Sequence, residues 1–160
     1  MAGEYMVHAE KAKDLFLEGY NCSQAVFGAF AEELGMDLNT AMKLASSFGG
    51  GIGRLREVCG AVSGMCLVAG LKYGYCDPKA KEEKTAHYKR VQELADTFKK
   101  ENGSIVCREL LENSMKKPAD TKPNPEARTN EYYKKRPCVQ LVMQAASIVE
   151  NYMKEKEKDI

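Results

Sequence analysis

The chain has 160 residues, 44% of them hydrophobic and 29% charged, ordinary globular proportions that exclude wholesale disorder and give one domain room for a core without a disulfide scaffold. Lys and Arg number 24 against 23 Asp and Glu, a net charge of +1 that leaves no general pull toward nucleic acid or an anionic membrane. No apolar stretch reaches the ~18 residues of a spanning helix, and MAGEYMVHAEKAKD carries charges where a secretory signal needs apolar residues, so a cytoplasmic location is expected.

Residues 5–18 place Val7, Ala12, Leu15 and Phe16 near one face with Lys and Glu opposite, the pattern of an amphipathic helix. Gly19-Tyr20-Asn21 breaks it, and Asn21 is a cap for a second helix over 22–34, apolar on most sides and so buried. Gly35 ends that helix and Asp37 caps a third over 38–48. Gly49, Gly50, Gly51, Gly53 and Gly60 then mark a turn with unusual dihedrals. A helix over 57–73 follows despite Gly60, Gly64 and Gly70, each costing ~1 kcal/mol relative to Ala. Gly60 and Gly64, four apart, would let another backbone come close and so offset that cost. Asp77-Pro78 reads as cap plus first position of a long helix to about Lys100, with Tyr88, Val91, Leu94, Ala95 and Phe98 as its stripe. Ser104 caps a short helix, 113–136 is a long loop rich in Pro, Lys and Arg, and Arg136-Pro137 opens a final helix whose residues 154–160 form a charged, fraying tail. No stretch alternates apolar and polar residues with period two. The expectation is a single all-α domain over 1–160, a bundle of about six to seven helices with a Gly-rich loop before the CGAxxG segment. The methionines and phenylalanines fall at helical spacing and read as core filling.

Six cysteines stand at 22, 59, 66, 76, 107 and 138, with no C-x-x-C pair. In a reducing compartment such a number points to packing, redox chemistry or metal before structural disulfides. Cys22, Cys59, Cys107 and Cys138 all fall at or near predicted helix starts, where the positive end of the dipole favours thiolate. Cys138 shares a stripe with Val142, Ala145 and Val149, and Cys22 with Val26 and Ala29, so these sulfurs should point inward, a pattern that plain packing fits equally well. Cys59 and Cys66 would be ~10 Å apart along a continuous helix, beyond the ~7 Å Cα limit of a disulfide, though both could face one cavity. Cys76 sits at a helix exit as a bystander.

The run GGGIGRLREVCGAVSG, with YNCSQA upstream and SIVCREL and RPCVQL downstream, resembles the C-GCAxxG-C-C family, called redox-active because of its cysteines. The resemblance spans roughly Ala9 to Tyr152 and places the family's four cysteines on Cys22, Cys59, Cys107 and Cys138, with the central motif on Cys59, Gly60, Ala61 and Gly64. Val58 stands where the family name has Gly, and Cys66 and Cys76 are additional to the four. Some relatives carry selenocysteine at a cysteine position, which implies chemistry over packing. No substrate comes with the resemblance, and it leaves open a metal or iron–sulfur centre.

The GGGIGR loop lacks the Gly-Lys-Ser/Thr ending of a phosphate cradle and follows no predicted strand. Gly51, Gly53, Gly60 and Gly64 are instead candidates for close backbone approach at the cysteine site or to a cofactor there. Arg54 and Arg56 are solvated residues or holders of a thiolate or anionic substrate. His8 and His87 read as structural or surface histidines. The 113–136 loop, whose end delivers Cys138, is either a surface excursion or a cover for the site. The leading expectation is a thiol-based redox protein, an oxidoreductase if it turns over, in which Cys22, Cys59, Cys107 and Cys138 converge and a thiolate attacks a small oxidant or a partner's disulfide. The first alternative is a binding module in which the same four hold zinc or an iron–sulfur cluster. The second is a helical interaction protein with packing cysteines. So many apolar helices also leave a homo-oligomer open.

Overall fold

The computed structural model describes residues 7–159 and shows, among them, eight α-helices and no strand. They are α1 (Val7–Glu18), α2 (Cys22–Gly28), α3 (Leu38–Ser46), α4 (Gly60–Tyr73), α5 (Lys81–Asn102), α6 (Cys107–Met115), α7 (Asn130–Lys135) and α8 (Cys138–Lys158). The expected start of the first helix, at residues 5 and 6, lies outside the described residues. None of these helices is long and apolar enough to cross a membrane.

α4 is apolar on every side and lies at the centre, packed against α2, α5 and α8, while α1 lies along α8 and α2. Phe16, Phe27, Phe30 and Phe98 are fully buried around it. Truncating one of them to Ala would cost about 3–5 kcal/mol. Gly60 and Gly64 do what their spacing predicts. A Cβ on Gly64 would stand 2.8 Å from Val26 Cβ and 2.9 Å from the Ser23 carbonyl, so their small size sets the α2–α4 separation. Asn21 closes a full capping box on α2: its side chain accepts from Gln24 N–H at 2.9 Å, and Gln24 Oε1 accepts from Asn21 N–H at 3.0 Å.

Several boundaries and faces move. α2 is regular only to Gly28; beyond it the chain winds to Gly35 through mixed turns such as Phe30 N–H to Phe27 C=O. α5 begins at Lys81, because Asp77 accepts from Lys79 N–H through Oδ1 and from Ala80 N–H through its carbonyl, a local turn that competes with helix. Ser104 is not the cap of α6. Its Oγ bonds Val106 N–H two residues on, and α6 starts at Cys107. The 113–136 stretch contains the end of α6 and the short α7, and α8 remains helical through Lys158. Val7 and Tyr88 are exposed instead of lying on apolar stripes. The buried face of α1 is Ala9, Ala12 and Phe16, and Tyr88 meets the Tyr75 hydroxyl at 3.2 Å outside the core. His8 is structural as expected, stacked on Phe30 and held between Glu33 and the buried Glu150. His87 takes a hydrogen bond from Arg90 at 2.9 Å and meets the Tyr75 ring edge-on, and burial holds its pKa below the ordinary value.

Candidate functional site

Cys22, Cys107 and Cys138 are the first residues of α2, α6 and α8, and Cys59 is the cap residue of α4. These four helix starts meet at one cavity of about 60 Å³, room for roughly two waters, which all four cysteines line. Each helix thus brings its positive end toward the same few sulfurs.

The chain reaches this arrangement through an unusual turn. Gly50, Gly51, Ile52, Gly53 and Arg54 all have positive φ in succession, and Arg56 follows at +64°. For Ile52, Arg54 and Arg56 such a conformation costs on the order of 1–2 kcal/mol each. At Gly51 nothing larger fits, since a Cβ would lie 2.7 Å from Cys107 Cβ. The turn hands the chain to an antiparallel bridge between Val58 and Val106. On either side of it Cys59 N–H donates to the Ile105 carbonyl at 2.8 Å and Cys107 N–H to the Glu57 carbonyl at 2.6 Å. Two cysteines 48 positions apart in sequence are thereby fixed beside one another.

The roof comes from Arg128, Tyr132 and Arg136, all within the 113–136 stretch that the sequence offered as either a surface excursion or a cover, without singling out these side chains. Arg128 donates to the Phe16 and Tyr20 carbonyls, both at 3.0 Å, and its guanidinium lies 4.3 Å over the Phe16 ring. Arg136 pairs with Glu126 at 2.6 Å and stacks on Tyr132 at 4.6 Å. Arg56 is buried; its Nε donates to the Asp120 carbonyl at 2.9 Å and its Nη1 approaches Cys107 Sγ at 3.8 Å. One signal was available: the Pro- and Lys-rich loop ends on Arg136-Pro137-Cys138, delivering a cation two residues before a sulfur.

The four thiols are not equivalent. Cys138 lies below the ordinary thiol value, held there first by a hydrogen bond from the Cys22 thiol and then, against burial, by Arg136, Arg128 and Arg56. Cys22 is raised by the same bond, by burial, and by the charge of the other three sulfurs. Burial pushes Cys59 up to about 12, although the Ala61 and Val62 N–H groups at the start of α4 pull the other way. Cys107 is raised by burial, with Arg56 opposing. Of the four, Cys138 is the thiol that ionises most readily, and Cys22, Cys59 and Cys107 hold their protons more tightly than a free thiol.

Cys66 packs against the core outside this cavity, with its thiol pushed up to about 11 by burial, and Cys76 is exposed. Of the glycines expected to approach the site, Gly51 and Gly60 line the cavity. Gly64 does not: its space is filled by Val26 and Ser23, as a helix contact. Gly53 is likewise outside it, at the exposed tip of the turn with nothing within 4 Å of where a Cβ would stand.

The sequence that carries these four cysteines has counterparts among known proteins. Residues 20–152 match the family described as "Putative redox-active protein (C_GCAxxG_C_C)". The chain belongs to this family. All four cavity cysteines lie within the matched C_GCAxxG_C_C span. An uncharacterized protein of Archaeoglobus fulgidus is similar over 71 residues at 42% identity, 41% of this chain and 47% of the relative, so the chain spans about half the length of that relative. No solved structure matches. As for a metal centre, among the described residues no group of three or more His, Cys, Asp or Glu side chains is arranged to hold a metal ion.

Proposed function

We propose that this chain is a dithiol–disulfide redox protein in which Cys138 attacks and Cys22 resolves. The observation that carries the reading is the placing of Cys22 and Cys138 in one cavity lined by three guanidiniums, where the Cys22 hydrogen bond and those cations hold the Cys138 thiol below its ordinary value. The Cys138 thiolate attacks one sulfur of a disulfide, forming a mixed disulfide and expelling the other sulfur as thiolate. That leaving group takes the Cys22 proton. The freed Cys22 thiolate then attacks Cys138 Sγ, expels the second substrate sulfur, and closes a Cys22–Cys138 bond. The substrate gains two electrons and the protein dithiol loses two. Cys59 and Cys107 serve as a second pair that accepts the bond by exchange, returning Cys22 and Cys138 to their reduced forms.

The test is alkylation of the fully reduced protein against pH, read by peptide mapping in a Cys76→Ser background that removes the exposed thiol. Cys138 should modify first, with an inflection below the ~8.5 of a free thiol. Cys22→Ala removes the hydrogen-bond donor and should move that inflection upward. Uniformly slow modification of all five remaining thiols would leave packing as their only role.

A further inference from the structure

The thiol cavity shares a wall with a second, outer chamber of about 280 Å³. Arg56, Arg128 and Arg136 line both spaces, and Arg54 lines the outer one. Glu126 is the only acid among the described residues lining the chamber, and it is already paired with Arg136. Asp120 stands beside Arg54, with Oδ2 at 3.5 Å from Nη2. Counting both acids, four guanidiniums leave a net charge of about +2.

Arg54 shares its charge with Asp120, yet one of its nitrogens keeps hydrogen-bonding capacity to spare. Its Nη1 donates to the Asn124 carbonyl, but its Nη2 is buried without a hydrogen-bond partner. The Asp120 carboxylate at 3.5 Å offsets its charge without making that hydrogen bond, so a closer anionic acceptor can compete for Nη2. The backbone agrees: Arg54 and Arg56 hold positive φ of +68° and +64° in a turn where glycine is the favoured residue. Keeping long cations on strained positions is a recurrent mark of binding sites. The chamber is also slightly smaller than the ~300–1,000 Å³ of sites for drug-sized ligands, which argues for a small molecule.

We propose that the outer chamber selects low-molecular-weight disulfides that carry a carboxylate, with Arg54 as the anion-binding residue. This deepens the redox reading above and rests on it. The carboxylate accepts a charge-assisted hydrogen bond from Arg54 Nη2 while the disulfide reaches Cys138. Transfer then follows the same balance: the anionic disulfide is reduced by two electrons to one thiol, which takes the Cys22 proton, and one thiolate, and Cys22 and Cys138 are oxidised to one disulfide.

The experiment is a single turnover of the reduced protein with three small disulfides that differ in charge: dithiodiglycolate, hydroxyethyl disulfide and cystamine. Each rate is divided by the rate of the same disulfide with a neutral small thiol, which removes intrinsic reactivity. The normalised rate for dithiodiglycolate should exceed that for hydroxyethyl disulfide by roughly tenfold, the worth of one charged hydrogen bond, and cystamine should be slowest. That preference should shrink as salt rises and collapse in Arg54→Gln. It should survive Arg108→Gln, which removes a nearby cation bonded to the Leu55 carbonyl outside the chamber. Equal normalised rates for all three, with Cys22 and Cys138 still oxidised, would overturn the anion preference and leave the redox reading standing. No oxidation by any of the three would remove both.

Discussion

Replacing Gly64 by alanine sets two effects of opposite sign against each other in one helix. In the middle of α4, Ala is favoured over Gly by about 1 kcal/mol. Against that, the new methyl would sit 2.8 Å from Val26 Cβ and 2.9 Å from the Ser23 carbonyl oxygen. Ordinary contact needs roughly half an ångström more, and neither neighbour is the free end of a flexible side chain, so α2 must shift as a body. Overpacking of this kind costs ~1–3 kcal/mol, leaving a net loss centred near 1 kcal/mol. For a chain of this length that lowers the melting temperature by about 2–4 °C. Gly70, two turns further on, has nothing within 4 Å of where an added methyl would stand and keeps only the favourable side of the balance. Gly70→Ala should therefore raise the melting temperature by about the same 2–4 °C. Thermal melts of the two variants beside wild type decide the matter. A Gly64→Ala protein as stable as Gly70→Ala would refute the argument that glycine at 64 sets the distance between α2 and α4.

Raised thiols make stability fall at alkaline pH. Cys59, displaced up to about 12, stays protonated in the folded state while its unfolded counterpart ionises near 9. Its contribution is complete below pH ~9 and declines from there to pH 12, by a little over 1 kcal/mol per pH unit. Cys138 runs the other way, its contribution being present above the unfolded value and lost as pH falls through its lowered one. With Cys22, Cys59 and Cys107 all raised, denaturant midpoints should drop above pH 9, and Cys59→Ala should flatten the slope. Separately, Asn21→Ala removes the capping box of α2 and should cost ~1–2 kcal/mol by urea unfolding, while Asn21→Ser should recover most of it.

Local chemistry was legible in the sequence wherever the partner lay close along the chain. Period-3.6 stripes placed α1, α5 and α8, the Asp37 cap placed α3, the Asn21 cap put Cys22 at a helix start, and the glycine cluster foretold a turn of unusual dihedrals. The small residues Gly60 and Gly64 announced a close neighbour without naming α2. What stayed hidden depends on contacts between distant segments. Arg128 reaches the Phe16 and Tyr20 carbonyls more than a hundred positions away, and nothing in its neighbours PNPEARTN indicates that it roofs a cavity. His8 likewise meets Glu33 and Glu150, from two other parts of the fold. Asp77-Pro78 and Ser104 misled for the opposite reason: each satisfies neighbouring N–H groups in a turn of its own, and the helix starts only after it.

Cys138 and Cys22, the proposed attacking and resolving residues, begin helices α8 and α2, with more than a hundred residues of chain between them. Joining their sulfurs would staple the two ends of the fold and shrink the freedom of the denatured chain, a gain of about 4–5 kcal/mol for a loop that long. Oxidation would then act as a thermodynamic clamp, and the protein would carry its electron count as a difference of many degrees in thermal resistance.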